Sequence, residues 1–429
     1  MTSHLRRILS QRGRPLAGSR VSLSRHLPPP AAPVHRLLAA LIVVALFWIA
    51  PLVGVARATG LLGQGVRFNL VHWEVTRLAE AAATRGTGLF VPRAASVTEL
   101  ERYEGLIEAA EALRRNPRST APVVQRYGQG RTADELDAEA DRLRPAVEAR
   151  VALAIQDEAQ REGLTISLPL FNGVRFVWPP VLTGLSVPPH ILIISPRNRI
   201  ELESTTLLRQ DLSLARQEQI EADAERRPNT SALVDQLGGL GAYPPIVDQR
   251  QPLRDLFQTA AHEWTHDYLA FHPLGVRYAA SGDLTLINET VANIVGEELG
   301  QAAYARLGLP QEPPAPPPSR PTVDFDKTMH ALRLEVDALL ARGEIAEAER
   351  RMDATAAMLR AAGYNIRKIN QAYFAFYGSY GDNPASSNPL GGELLELRRR
   401  SPSLAAFVHA VQNITRPDDV PRLLAAARP

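Results

Sequence analysis

Hydrophobic and polar positions divide this chain into stretches of different period. Leu37 to Ala56 reads LLAALIVVALFWIAPLVGVA, without a single charge. As a helix, such a run of about twenty residues spans roughly 30 Å, the thickness of a bilayer's hydrocarbon core. Residues 57–95 show no clear period. Ser96 and Glu99 then stand in capping-box spacing, and Leu100, Tyr103, Ile107 and Ala110 continue at helical spacing until Asn116-Pro117 stops them. Thr132 with Glu135 opens a second helix carrying Leu136, Leu143, Val147, Val151 and Ile155. Pro145 is a candidate kink in it, and Gly163 its stop.

The period then falls to two. Ile166, Leu168 and Leu170 alternate, Asn172-Gly173 supplies a two-residue turn, and Val174, Phe176 and Trp178 alternate after it. That pattern predicts a β-hairpin. Ile191 to Ile194 predicts another strand, and a turn at Ser195-Pro196-Arg197-Asn198 leads to Ile200 and Leu202. Gly238-Gly239-Leu240-Gly241 and Pro244-Pro245 mark a loop. Helical spacing returns over 253–271, where Leu253, Phe257, Ala260, Trp264, Tyr268 and Phe271 form one apolar stripe. The run from Pro310 to Pro321 reads as an extended linker, followed by helical patterns over 323–377, 402–413 and 417–427. The expected fold is α+β and mainly helical, with a small antiparallel sheet ahead of the 253–271 helix. The expected organisation is a basic tail (1–36), a membrane segment (37–56), a helical membrane-proximal region (57–162) and a principal domain (163–429).

Charge orients the apolar run. Residues 1–36 hold seven arginines and no acid, so the net charge of +2 leaves the remainder at −5. The arginine-rich flank predicts a cytoplasmic N-terminus and a body outside the cytoplasm, tethered as a single-pass cell-membrane protein. A cleaved signal peptide is the alternative, since Ala56-Arg57-Ala58 has small-x-small spacing. The length of the run and of its basic leader favour an uncleaved anchor. The mildly acidic body gives no support to nucleic-acid binding. There are no cysteines, which excludes disulfides, thiolate metal sites and cysteine nucleophiles. The only lysines, Lys327 and Lys368, do not follow a glycine, so a Walker-type phosphate loop is absent, as are GxGxxG and GxSxG.

The candidate chemistry lies in His262-Glu263-Trp264-Thr265-His266. Two histidines four apart share one helix face and can grip one metal ion. Glu263 sits about 100° round the helix from His262, within reach of a water on that metal as general base. The histidines fall opposite the apolar stripe, together with Asp255 and Thr259. The plainer reading is a pair of surface histidines on an amphipathic helix, in a membrane-tethered interaction module. Against it stands Asn288-Glu289, 23 residues after His266. Its helix buries Ile287, Val291, Ile294 and Val295, and Glu289 lies on the other face with Asn293, Gly296 and Gly300. Two glycines beside a carboxylate let another helix approach closely. A catalytic zinc wants three protein ligands and one open position, which Glu289 would complete.

The motif with its later Asn288-Glu289 resembles the gluzincin metallopeptidases, the thermolysin-like and aminopeptidase-like zincins, over about 40 residues. In its apolar anchor segment and helical composition the chain is also similar to uncharacterised bacterial membrane-anchored predicted peptidases. The resemblance implies a zincin-like fold and hydrolysis of peptide or protein substrates by zinc-activated water. It makes His262, His266 and Glu289 the Zn2+ ligands and Glu263 the base. Where that group often has an acid four residues after the ligand Glu, this chain has Asn293, whose amide oxygen would accept an imidazole proton. His272 stands at metzincin spacing, but Leu269 occupies the place of the helix-breaking glycine. The helix is expected to continue past it and to turn His272 away. Such zincins also use a Tyr or His on the developing oxyanion. The aromatic, Gly-rich stretch from Tyr373 to Pro384 makes Tyr377 and Tyr380 the candidates.

Overall fold

The computed structural model describes residues 66–85, 93–167, 175–309 and 323–427. The apolar run 37–56, the basic tail, the hairpin turn at Asn172-Gly173 and the proline-rich stretch lie outside the described residues. Every element named below belongs to one compact unit of the chain.

Four helices open the described chain: α1 (Leu70–Arg85), α2 (Val97–Arg115), α3 (Pro122–Tyr127) and α4 (Ala133–Glu162). Local chemistry sets their ends. Ser96 and Thr132 both form complete capping boxes, with the backbone amide of Thr132 donating to Glu135 at 2.7 Å. These contacts satisfy amides that have no partner inside the helix. Gly163 ends α4 in the left-handed region at φ 84°, which a side chain would resist. Pro145 lies inside α4, which runs on as one helix of 30 residues.

The strands form three small sheets. β1 (Ile166–Ser167) pairs antiparallel with β2 (Arg175–Phe176), the two ends of the expected hairpin. β4 (His190–Pro196) is the centre of an antiparallel sheet, flanked by β5 (Ser204–Leu208) and β6 (Thr230–Gln236), with Leu192 opposite Thr206 and Val234. β4 is buried on both faces, because Leu192 and Ile194 pack on α5 (Leu214–Glu225) while Ile191 and Ile193 meet Leu233 and Ala372. Its unbroken apolar run follows from that double burial. Two expectations need correcting. The strand after the turn begins at Ser204, and Ile200 instead joins a helical core. The strands are also not all antiparallel, since β3 (Gly184–Ser186) runs parallel to β8 (Ile246–Asp248), which pairs antiparallel with β7 (Gly239–Leu240). So the fold is α+β and mostly helical, with mixed small sheets.

The main core surrounds α6 (Leu253–Leu269) and α8 (Gly282–Arg306), with the short α7 (Pro273–Val276) between them. Leu100, Leu136, Val151 and Ile155 from α2 and α4 belong to that same core, so packing is continuous across the proposed boundary at 162/163. Each such buried side chain stabilises by roughly 1.5–3 kcal/mol. A second core joins α9 (Phe325–Ala341) and α10 (Ile345–Ala361) to Phe374 of α11 (Gln371–Tyr377). Three helices, α12 (Pro389–Arg400), α13 (Leu404–Val411) and α14 (Asp419–Ala426), close the chain against the first core.

Glycines let α8 approach α6 almost backbone to backbone. A Cβ added at Gly300 would lie 2.5 Å from the Cα of Gln258, and one at Gly296 would lie 2.8 Å from the Cβ of His262. Backbone on both sides leaves nothing flexible to yield. Gly300→Val is therefore expected to cost at least the roughly 1–3 kcal/mol typical of overpacking. Thermal melting checks this, and an unchanged midpoint would contradict the close approach.

Candidate metal centre

α6 is buried almost all round over its last three turns. Ala260, Ala261, Trp264, Thr265, Tyr268 and Leu269 are buried, and so are Glu263 and His266, each only 6 % exposed. The Trp264 indole donates to the Pro179 carbonyl at 3.0 Å. His262 and His266 are therefore not a surface pair, and buried polar groups of this kind need partners.

Those partners converge. His262 Nε2 and His266 Nε2 lie 3.0 Å apart. Glu289 Oε2, from α8, lies 3.6 Å from the first and 3.4 Å from the second. Ligands at about 2.0–2.1 Å in tetrahedral arrangement stand about 3.3 Å from one another. The triangle thus has the dimensions of three ligands around one small cation. Two nitrogen donors and a carboxylate, with no thiol, suit zinc. A Glu263 carboxylate oxygen falls within 4.8 Å of both histidines' ligating nitrogens.

Two of the three donors, those of His266 and Glu289, are held in place by a further contact. His266 Nδ1 lies 2.8 Å from Asn288 Oδ1, where an N–H on it donates to the amide oxygen, and this contact turns Nε2 toward the triangle. The Tyr278 hydroxyl donates to Glu289 Oε1 and so leaves Oε2 for the histidines. Tyr278 comes from the 3₁₀ turn Tyr278–Ala280, and its carbonyl accepts the Thr285 hydroxyl of α8 at 2.7 Å. Charge follows the same plan. Burial would raise the Glu289 carboxyl, but the imidazoles outweigh it and hold the group far below the usual carboxylate range. Burial would depress His266, yet the charge of Glu289 keeps its imidazolium up to about 9. The space between these groups is thus one where positive charge is strongly stabilised.

Glu263 differs. Burial raises its carboxyl above the ordinary value against the pull of both histidines. The backbone of β7 crosses directly against it: a Cβ at Gly239 would lie 2.2 Å from Glu263 Oε1. Since that atom ends a flexible side chain, Gly239→Ala is expected to leave the fold and the metal ligands in place while displacing Glu263. A misplacement of about 1 Å can cost on the order of 10²-fold in rate. Metal content, and the rate of any hydrolysis the protein is found to perform, check this; an unchanged rate would count against a role for Glu263 in that chemistry.

No known protein family, curated protein or solved structure matches the chain. The site's chemistry accordingly rests on its own residues.

His262, Glu263, His266 and Glu289 open together into a cleft of about 1810 Å³, with Tyr278 and Tyr380 also in its wall. Tyr380 is close enough that, after burial, the charges of Glu289 and Glu263 push its phenol well up. Three sequence expectations change. The hydroxyl of Tyr377 donates to Asp235 of β6 at 2.9 Å, and the residue does not line the cleft. It is the last residue of α11, a helix packed on the β4 sheet. The Asn293 amide donates to Asp382 at 3.0 and 3.2 Å rather than serving an imidazole, and Asn288 holds His266 instead. The motif helix ends at Leu269 rather than continuing, and His272 caps α7 with its ring against Tyr268. His272 still takes no part in the triangle. Asn288, Tyr278 and Gly239 are the site residues that sequence reasoning missed. Only Asn288 left a signal, by standing next to Glu289.

Proposed function

We propose that this protein is a zinc-dependent hydrolase of peptide bonds, similar in its centre to the gluzincin peptidases. The observation that carries this reading is the triangle of His262 Nε2, His266 Nε2 and Glu289 Oε2, with sides of 3.0, 3.4 and 3.6 Å, beside the Glu263 carboxylate. Zinc held there would supply Lewis acidity and lower the pKa of a water to about 7.

The protein's own groups then have separable roles. His262, His266 and Glu289 hold the ion; Asn288 and Tyr278 aim two of them. Glu263 takes a proton from the attacking water and returns it to the leaving amine. Tyr380 donates to the oxygen on which negative charge develops. Peptide or protein chains are the substrate class, and the apolar run at 37–56 tethers the body outside the cytoplasm.

Purified body from residue 57 onward is expected to carry one zinc per chain and to cleave members of a fluorogenic peptide library. Stoichiometric zinc without cleavage of any peptide would move the reading to another substrate, and absence of zinc after zinc-replete purification would end it. For the tether, protease added to intact cells is expected to digest the body while an N-terminal tag stays protected. A soluble product beginning near Thr59 would establish a cleaved signal instead.

A further inference from the structure

The segment after α11 is fastened to α8 by three hydrogen-bonded contacts. Gly381 N–H donates to Thr290 Oγ1 at 2.8 Å, and that hydroxyl donates onward to the Leu286 carbonyl at 2.7 Å. Asn293 donates to both oxygens of Asp382. Further along, Asn388 Nδ2 donates to Asp283 Oδ1 at 2.8 Å. The helix partners stand at 283, 290 and 293, so they form one strip of α8 beside Glu289. Contact is close at the centre of the strip, where a Cβ on Gly381 would lie 2.8 Å from Thr290 Oγ1. From α9, Arg333 Nη1 donates to the Ala385 carbonyl at 2.8 Å, and Ser387 Oγ donates to Asp337 at 3.0 Å, so α9 holds the later part of the segment. Tyr380 sits one residue before the Thr290 contact and lines the cleft.

We propose that Thr290 and Asn293 are positioning residues: they seat the 378–388 loop on the helix that carries Glu289, and thereby set where the Tyr380 hydroxyl meets the reacting carbonyl. Neither residue touches substrate or ligates the ion. The same helix thus fixes the third ligand and the oxyanion donor, so the distance between them is set by helix geometry rather than by a free loop. The inference rests on the hydrolase reading, and its test separates the two.

Thr290→Val removes the acceptor of the Gly381 amide at nearly constant shape, and Asn293→Leu removes the Asp382 contact. Together they are expected to lower kcat by about 10²-fold, with KM little changed and one zinc retained. Thr290→Ser keeps the hydroxyl and is expected to retain the wild-type rate. Tyr380→Phe is expected to show the same loss, and adding it to the Thr290→Val, Asn293→Leu pair is expected to cost little more, because residues acting as a unit are not additive. Full activity in the pair, or losses that multiply, overturns the seat. If wild-type protein cleaves no peptide, the hydrolase reading fails by itself. The seat is then read from the ¹⁹F resonance of 3-fluorotyrosine placed at 380. One narrow line in wild type that broadens or moves in the pair supports it, and an identical line in both overturns it.

Discussion

Glu263→Gln is expected to keep one zinc per chain while losing hydrolysis by about 10³-fold, within the range that a positioned general base contributes. The amide nearly matches the carboxylate in shape, so its contact with the Gly239 backbone survives. It cannot accept a proton to any useful degree. The three corners of the 3.0–3.6 Å triangle come from His262, His266 and Glu289, so the substitution removes none of them. Removing a buried carboxylate that burial already disfavours is expected to leave stability level or slightly higher. Zinc by elemental analysis, initial rates and melting temperature give three independent readings. Wild-type turnover in Glu263→Gln would remove Glu263 from the chemistry; loss of zinc would make it a ligand.

His266→Ala is expected to lose the ion altogether. It takes away one of three donors and also the ring that Asn288 orients, leaving Asn288 Oδ1 buried without its donor. His262→Ala is expected to match it in metal loss. Loss of the Asn288 contact alone should be milder: Asn288→Leu is expected to weaken zinc affinity about 10–100-fold, the usual consequence of removing a ligand's hydrogen-bond partner. His272→Ala is expected to bind zinc as wild type does, because its ring packs on Tyr268 outside the triangle. Competition with a chromophoric chelator orders the four variants. Metal loss in His272→Ala with retention in His266→Ala would reassign the ligands.

The parts of this fold that were readable in advance are those written in short-range chemistry. Capping boxes at Ser96 and Thr132, the glycine at 163 and the i, i+4 histidine pair all involve residues within one helical turn. That another helix comes close at Gly296 and Gly300 was also readable, since two glycines beside a carboxylate permit close helix packing; that this partner is the motif helix was not. What stayed hidden depends on contacts far apart in the chain. Asn293 finds Asp382 across 89 positions, and Gly239 meets Glu263 from a stretch that reads as plain loop. The two tyrosines show the limit well. Tyr377 and Tyr380 are three residues apart in one aromatic stretch, but the helix ends at Tyr377, so no helical period relates their directions. One faces Asp235 and the other the cleft. Similarly, α5 buries only Ile220, Glu221 and Ala224, too few positions to announce a helix.

The backbone-to-backbone contact at Gly296 and Gly300 has a consequence for how the cleft admits a bulky chain. Side-chain-mediated helix pairs can slide because rotamers absorb the shift, but here there are no rotamers at the contact to change. The α6 and α8 pair, with the 378–388 loop fastened to it, therefore acts as an anvil. Any opening or closing would fall to the facing wall, where β7 and the edge strand β5 meet the cleft. The far end of β5 is fastened there by Phe68 and Arg209 amides bonding across to Leu207 and Val66. Breathing of that wall would thus change the width of the groove without disturbing the three ligand atoms, although Glu263, which lies against β7, would feel it. Substrates of different girth would meet the same centre, and selectivity would reside in the strands rather than in the helices that carry the chemistry.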